Sequence, residues 1–375
     1  MRLHIFKMER WQSTWENRVE YNLSSSGVDP LVVSELLGGD DVEFLQQSLG
    51  YPQSNGTEEL RKKIAAIYPG ADPDNVLVTN GSSEANFVTM WSFLQRGAEI
   101  VVMLPNYMQI WGLGKTFQGK VKSFRLLELE GEWKPDISAL RRAVGRKTKL
   151  IAVCNPNNPT GAVMHDDIID EISDIAGKVG AWILPDEVYQ GTELDGRTTP
   201  TFWGRYEKVM AINGLSKAYA LPGLRIGWIV TTKDLASKLW MYHDYTTISP
   251  TALSDYLARK ALEPETRAKI HTRTREIVQR NLPILRDWID RNREIFSLVP
   301  PRAGAVAYVK YNLKINSTDF AKRLLTEKST LIVPGDHFGM DGYIRIGYGT
   351  PKDYLTAGLT RIDELMGQLR QSRSN

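Results

Sequence analysis

Between residues 57 and 230 short apolar runs alternate with longer stretches in which apolar residues recur every three or four positions. The runs at 76–79, 99–104, 120–127, 150–154, 181–184, 209–212 and 225–230 read as strands, and the stretches at 57–68, 83–95, 108–118, 137–144 and 166–178 as helices. In the first helix Leu60, Ile64 and Ile67 share one face, and Glu58 and Glu59 occupy the first turn, where carboxylates meet the positive end of the helix dipole. This alternation predicts an α/β fold with a largely parallel sheet covered on both faces. Ligands of such sheets sit at the carboxyl ends of the strands, where the unusual residues of this chain fall.

The flanks follow other rules. Residues 1–40 are irregular, with Trp11 and Trp15 four apart on one helical turn and a small-residue run at 24–27. A helix is expected over 29–37, with Asp29 as cap and Pro30 in the first turn. From about residue 249 a long helical pattern runs through Leu285 and Trp288, punctuated by Pro250, Pro264 and Pro283. A smaller α+β unit follows, with strands near 305–310, 331–333 and 343–347, helices at 317–327 and 352–369, and a tail, 370–375, expected to fray. Without a linker or low-complexity tract, the two units are expected to share an interface.

Composition narrows the function. The chain has 375 residues, 42% apolar and 24% charged, and a net charge of +3, which provides no basic face for nucleic acid. The single cysteine, Cys154, lies in an apolar run and reads as a reduced packing residue. Residues 1–11 lack the apolar core of a secretion signal, and no stretch approaches the roughly 20 apolar residues that span a bilayer, so no membrane is involved and the expected location is cytoplasmic. The five histidines show no metal spacing, Gly114-Lys115-Thr116 lacks the upstream glycine of a P-loop, and no Gly-x-Ser-x-Gly elbow occurs.

The informative stretch is residues 213–228, where an apolar run delivers Lys217 into a turn of small residues and Arg225 follows eight positions later. An amine with a guanidinium nearby suits an aldehyde cofactor that carries a phosphate. Asn80-Gly81-Ser82-Ser83 closes one strand and opens a helix, which makes it either a plain cap or an anion site. Tyr107 follows another strand, and Asn155-Pro156-Asn157-Asn158-Pro159-Thr160-Gly161 has two prolines and a glycine that hold one side-chain amide rigid. Pro185-Asp186-Glu187-Val188-Tyr189 ends a further strand, and Arg345 lies between Ile344 and Ile346, where a cation needs an anionic partner.

From about residue 24 to residue 349 these motifs, in this order, resemble the class I and II aminotransferases, pyridoxal-phosphate enzymes of the aspartate aminotransferase fold. The resemblance implies fold type I, a large domain with a mostly parallel seven-stranded sheet (46–250), a smaller α+β domain with the long interdomain helix (251–375), and an N-terminal segment (1–45) that joins the small domain. It implies a Schiff base between Lys217 and pyridoxal 5'-phosphate, with Asp186 on the pyridine nitrogen, Tyr107 and Val188 on the two ring faces, and Asn158 and Tyr189 on the phenolic oxygen. Gly81, Ser82, Ser83, Ser216 and Arg225 would hold the phosphate, joined by Tyr51 from the other subunit of a homodimer with shared sites. Gly27, Asn158 and Arg345 would receive the substrate. Amino transfer from an L-amino acid to a 2-oxo acid is the expected reaction. Residues 24–28 and 243–247 also resemble capreomycidine synthase-like members, so elimination or cyclisation is the alternative. Gly214 stands where the family often has a phosphate-binding serine or threonine, and Trp11, Trp15, Tyr21 and Tyr348 are candidates for an aromatic entrance.

Overall fold

The computed structural model describes residues 3–39 and 41–374, residues 370–374 through their backbone alone. An N-terminal segment carries α1 (Lys7–Trp15), β1 (Tyr21–Asn22), α2 (Val33–Leu37), α3 (Val42–Leu45) and α4 (Glu58–Ala65). The alternating region gives β2 (Val76–Thr79), α5 (Ser82–Phe93), β3 (Glu99–Leu104), α6 (Gln109–Thr116), β4 (Lys120–Leu129), β5 (Glu132–Pro135), α7 (Ile137–Ala143), β6 (Thr148–Cys154), α8 (Asp166–Val179), β7 (Trp182–Asp186), β8 (Ala211–Gly214), β9 (Gly227–Val230) and α9 (Lys233–His243). Then come α10 (Ala252–Ala261), α11 (Pro264–Arg291), β10 (Phe296–Leu298), β11 (Val306–Tyr311), α12 (Ser317–Lys328), β12 (Thr330–Leu331), β13 (Val333–Pro334), β14 (Tyr343–Gly347) and α13 (Lys352–Ser374). No described helix is long and apolar enough to cross a membrane.

The main sheet runs β2-β9-β8-β7-β6-β3-β4-β5. It is parallel from β4 through β3, β6 and β7 to β8, and β9 lies antiparallel between β8 and β2. Side chains alternate between its faces. Val101, Met103, Ile151, Val153 and Ile183 pack in one cluster with Ile64 of α4 and Ile169 and Ile172 of α8. Their neighbours Ile100, Val102, Leu150, Ala152 and Leu184 pack in another with Val88 of α5 and Leu239 of α9. Both faces are covered, which is why these strands read as continuous apolar runs.

Seven strands form the expected platform, and an eighth, β5, extends its edge. Glu130 and Gly131 between β4 and β5 both have positive φ, 53° and 76°, the geometry of a two-residue hairpin turn. The polar run 128–134 concealed this strand, because its pairing is local and needs little apolar content. Residues 29–32 lie outside the helix, which begins at Val33, since the Asp29 amide donates to Gly349 O and the Leu31 amide to Ala220 O. Tertiary bonds take the donors that a helix start would leave free. The long pattern after residue 249 divides at Pro264, the first residue of α11, while Pro283 is tolerated inside that 28-residue helix. The final helix continues to Ser374, five residues past its expected end, and Asn375 lies outside the described residues.

The second sheet, β10-β11-β14-β13, is antiparallel and packs on α11, α12 and α13 through Leu285, Trp288, Phe320, Leu324, Ile344, Ile346 and Ile362. β1 pairs in parallel with β12, Tyr21 beside Thr330, so the N-terminal segment is seated on the C-terminal unit. Residues 23–25 then lie along the end of β14: Gly347 donates to Leu23 O, and a Cβ on Gly347 would stand 1.9 Å from Ser25 O. Backbone there cannot yield as a flexible side chain can. Gly347→Ala should therefore destabilise the fold by about 1–3 kcal/mol, read as a lower midpoint in denaturant unfolding, and an unchanged midpoint would contradict this contact.

Candidate active site

Strands β3, β6, β7 and β8 point the same way, and β2, antiparallel to β9, shares their direction. Their carboxyl ends therefore meet at one edge. In register, Cys154 at the end of β6 lies beside Asp186 at the end of β7, and Asp186 beside Ile212 of β8. The loops that leave these ends surround a cavity of about 530 Å³ lined by Ser82, Ser83, Tyr107, Cys154, Asn158, Asp186, Val188, Tyr189, Ser216, Lys217 and Arg225. Most of the residues singled out in the sequence thus reach one place.

One wall is an anion cradle. Gly81, at φ 81°, is the cap of α5, and the first bonds within that helix run from Glu84 and Ala85 to Gly81 O, so the Ser82 and Ser83 amides precede them. The Arg225 guanidinium lies against Gly81, where a Cβ would stand 2.3 Å from Nη2, and its Nη1 donates to Ser216 Oγ at 3.4 Å and Pro222 O at 3.0 Å. Arg225 belongs to the turn ahead of β9 rather than the strand, with φ 52° and ψ 42°. The serine that Gly214 replaces has no room: a Cβ there would come within 2.9 Å of Ile226 O and 3.0 Å of Gly227 Cα. Gly227 in turn sits against the Gly81–Ser82 backbone. Residues 243–247 brace this cradle from behind. The Thr246 and Thr247 hydroxyls donate to Glu84, Asn80 Nδ2 donates to Thr247 Oγ1, and His243 is buried against the same carboxylate. Burial alone would raise the Glu84 pKa, but His243 and the two threonines outweigh it and hold it at about 2.

Lys217 faces the opposite requirement. Its Nζ donates to Ser26 Oγ at 2.9 Å. Burial, reinforced by Arg345 and Arg225, lowers its pKa to about 8, while Glu9 and Asp186 pull the other way. Burial raises the Asp186 carboxyl to about 6 against the pull of the Val188 amide and Lys217. The Tyr189 hydroxyl is buried with no well-aligned partner among the described residues, although Ser26 is close enough to act on it. Cys154 remains a neutral thiol, its pKa raised by burial, with Sγ 3.2 Å from Pro156 O.

Arg345 lies behind this wall. It is fully buried; Nη1 donates to Asn158 Oδ1 at 3.0 Å, and Nη2 to Ser24 O at 2.6 Å and Gln12 Oε1 at 3.3 Å, while Nε has no partner. Gly27 packs on the other side of Lys217, its Cβ position 3.5 Å from Ser216 O. Tyr51 is not in the cavity and is 86% exposed. The aromatic entrance is not formed: Trp11 donates to Ile332 O, Tyr348 is buried with its hydroxyl on Gly304 O, Tyr21 packs at a tilt against Tyr354, and Trp15 is absent from the lining. Glu9 and Gln12 of the same helix and Glu16, its C-terminal cap, line the cavity instead. Their spacing of three and four was readable in the sequence, but nothing there showed which face of α1 turns inward.

The family described as aminotransferase class I and II matches residues 41–362. The chain belongs to this family. Its relatives include capreomycidine synthase of Streptomyces vinaceus, 30% identical over 98% of this chain and 95% of that protein. Among solved structures, a PLP-dependent aminotransferase from Streptococcus suis superimposes with a TM-score of 0.91 at 32% identity, covering 98% of this chain and 99% of the other. The PLP-dependent cyclase OrfR gives a TM-score of 0.86 at 25% identity over 98% of each. The family's cofactor, pyridoxal phosphate, needs an amine for its aldehyde, donors for its phosphate and a carboxylate for its ring nitrogen. This member's cavity holds one of each, together with a buried, unpartnered tyrosine hydroxyl, so the residues fit the cofactor.

A lowered lysine pKa means that the neutral, nucleophilic amine is abundant above pH 8 instead of above the ordinary 10.5. The rate at which cofactor-free protein takes up added pyridoxal phosphate should rise with pH and level off just above pH 8, followed by absorbance. A rate still climbing beyond pH 10 would contradict this.

Proposed function

We propose that this aminotransferase family member moves the amino group of an L-amino acid to a 2-oxo acid, using pyridoxal phosphate held in the cavity around Lys217. The observation that carries the reading is the convergence of the Lys217 amine, the Asp186 carboxylate and the Ser82–Ser83–Arg225 cradle on a single cavity. Gly81, Ser82, Ser83, Ser216 and Arg225 would hold the phosphate, Asp186 the ring nitrogen, and Tyr107 and Val188 the ring faces. Tyr189 would donate its free hydroxyl to the phenolic oxygen. Asn158 would donate from its amide nitrogen, because its Oδ1 is already taken by Arg345.

When bound, the cofactor supplies an aldehyde that captures amines and a ring that accepts electrons from a bond at the α-carbon. The protein supplies position and proton movement. Lys217, released as a free amine, takes the α-proton of the donor and returns a proton when the 2-oxo acid is converted. Asp186 stays beside the ring nitrogen as an anion, which favours a protonated ring. Arg345 receives the α-carboxylate, assisted by the Gly27 backbone, after Gln12 gives up its place on Nη2. We assign residues 46–250 as the platform, and residues 1–45 and 251–375 as the unit that closes over it.

A homodimer with shared sites accounts for Tyr51, which is exposed among Val42, Leu45 and Leu49, all more than half exposed. We place the enzyme in the cytoplasm, where its one buried thiol stays reduced. A second reading, elimination or cyclisation on the same cofactor, is favoured by the likeness to capreomycidine synthase and to the cyclase OrfR. Turnover without any 2-oxo acid acceptor would select it, with ammonia released in an elimination and the amino group retained in a cyclisation.

Lys217→Ala should remove the visible absorbance of the lysine-bound cofactor and reduce amino transfer to background, in a stopped assay with 2-oxoglutarate or pyruvate. Normal turnover would refute the assignment. Mixing Lys217→Ala with Tyr51→Ala subunits under exchange at limiting cofactor should restore about a quarter of parental activity, since each mixed dimer retains one intact site. No gain on mixing would exclude site sharing.

A further inference from the structure

We infer that the seam between residues 193–200 and 282–302 is a second small-molecule site, built for an organic carboxylate with an apolar body. It shares no lining residue with the Lys217 cavity and is independent of the reaction proposed there.

The hollow at this seam has a volume of about 620 Å³, against about 530 Å³ at Lys217. Val163, Glu193 and Thr199 line it from the large-sheet region, and Leu282, Arg286 and Pro301 from the C-terminal unit. A further hollow of about 320 Å³ adjoins it, since Val163, His165, Pro300 and Arg302 line both, and Trp133, the buried residue of β5, borders that extension.

Two polar groups at this seam lack a partner. The Thr199 hydroxyl and the Trp133 indole N–H are buried and make no hydrogen bond among the described residues, and the residues that bear them are 4% and 7% exposed. Buried groups of this kind are nearly always paired, so each calls for an acceptor. An indole N–H can only donate, and a threonine hydroxyl is free to do so.

The charged groups of the lining point the same way. The buried Glu193 carboxylate is already filled by the Gly191 and Thr199 amides and by Arg275. Asp166 is held by Arg205, Asp195 by the Arg197 amide and side chain, and Arg302 by Glu132. Arg286 makes no side-chain hydrogen bond or ion pair among the described residues, which leaves its charge without a counterpart. The open groups are thus a guanidinium, a hydroxyl and an indole N–H, which together suit an anion and offer a cation nothing. Leu194, Leu282, Pro300 and Pro301 supply apolar wall that inorganic phosphate would leave unused, so the anion is a carboxylate on a hydrocarbon body. The ligand would rest on the same strap that holds a catalytic loop: the Arg302 and Ala303 amides donate to Gly161 O at 2.9 and 3.1 Å, and Gly161 ends the loop that carries Asn158.

The test is calorimetric titration of the holoenzyme with 2-naphthoate and with its neutral isostere 2-naphthamide, repeated on Arg286→Gln and Thr199→Val. Arg286 is exposed on α11, and valine keeps the shape of Thr199 while removing its hydroxyl, so both variants are expected to fold, as circular dichroism would show. The expected result is a binding event for naphthoate, at least about tenfold tighter than any for the amide, that is present in the parent and absent in Arg286→Gln. In Thr199→Val the same event should weaken by about three- to tenfold. Three results would each overturn the inference: no binding to the parent up to about 1 mM naphthoate, equal affinities for naphthoate and its amide, or titrations of the parent and Arg286→Gln that coincide. The last would place the anion on an arginine of the Lys217 cavity instead.

Discussion

The constraint at the centre of this cavity is a lysine amine held where water cannot fully solvate it. Burial and two neighbouring guanidinium groups favour the neutral form of Lys217, while Asp186 and Glu9 prevent its pKa from falling further. A surface lysine would be protonated and unreactive near neutral pH; one wholly surrounded by carboxylates would be locked as the cation. The fold maintains the intermediate state by bringing the carboxyl ends of parallel strands to one edge. Asp186 is fixed by its ladder with Cys154 and Ile212, and Lys217 follows β8 by three residues. Neither group could be displaced without altering the register of the sheet centre.

Much of this was legible in the residues. Strands with both faces covered appear as nearly unbroken apolar runs, so 99–104 was read with the bounds the structure gives it, as was 343–347, where Ile344 and Ile346 flank Arg345. The motif loops were legible because their chemistry is local: an asparagine between prolines, or an aspartate closing a strand, declares its position along the chain. What stayed hidden was set by tertiary contact. Residues 29–32 lost their expected helix to acceptors at Ala220 and Gly349, far away in sequence. Gly214, which looks like a missing phosphate ligand, is the consequence of close approach to Gly227. The inward face of α1 could not be chosen either, because its two tryptophans are the apparent anchors while Met8 and Gln12 are the residues it buries.

Arg345 shows how the two units communicate. It is carried on β14 of the smaller sheet, yet its partners are Asn158 from the large sheet and Ser24 and Gln12 from the N-terminal segment. A desolvated guanidinium with four acceptors, Met8 Sδ among them, and its Nε unused is restrained but incomplete. These bonds draw on two parts of the chain, Asn158 on the large sheet and Gln12 and Ser24 in the N-terminal segment. An anion that displaced Gln12 from Nη2 would loosen one of the bonds that hold α1 against the platform.

The pairing of β1 with β12 has a consequence for biosynthesis. Residues near position 22 meet their ladder partners near 331, and Ser24 meets Arg345 across 321 positions. During translation the main sheet can be completed once β9 has emerged, whereas α1 has no seat until the residues near 331 and 345 have been made. A segment made before the main sheet is thus among the last to dock, and in the interim its apolar residues are exposed to chaperones and proteases.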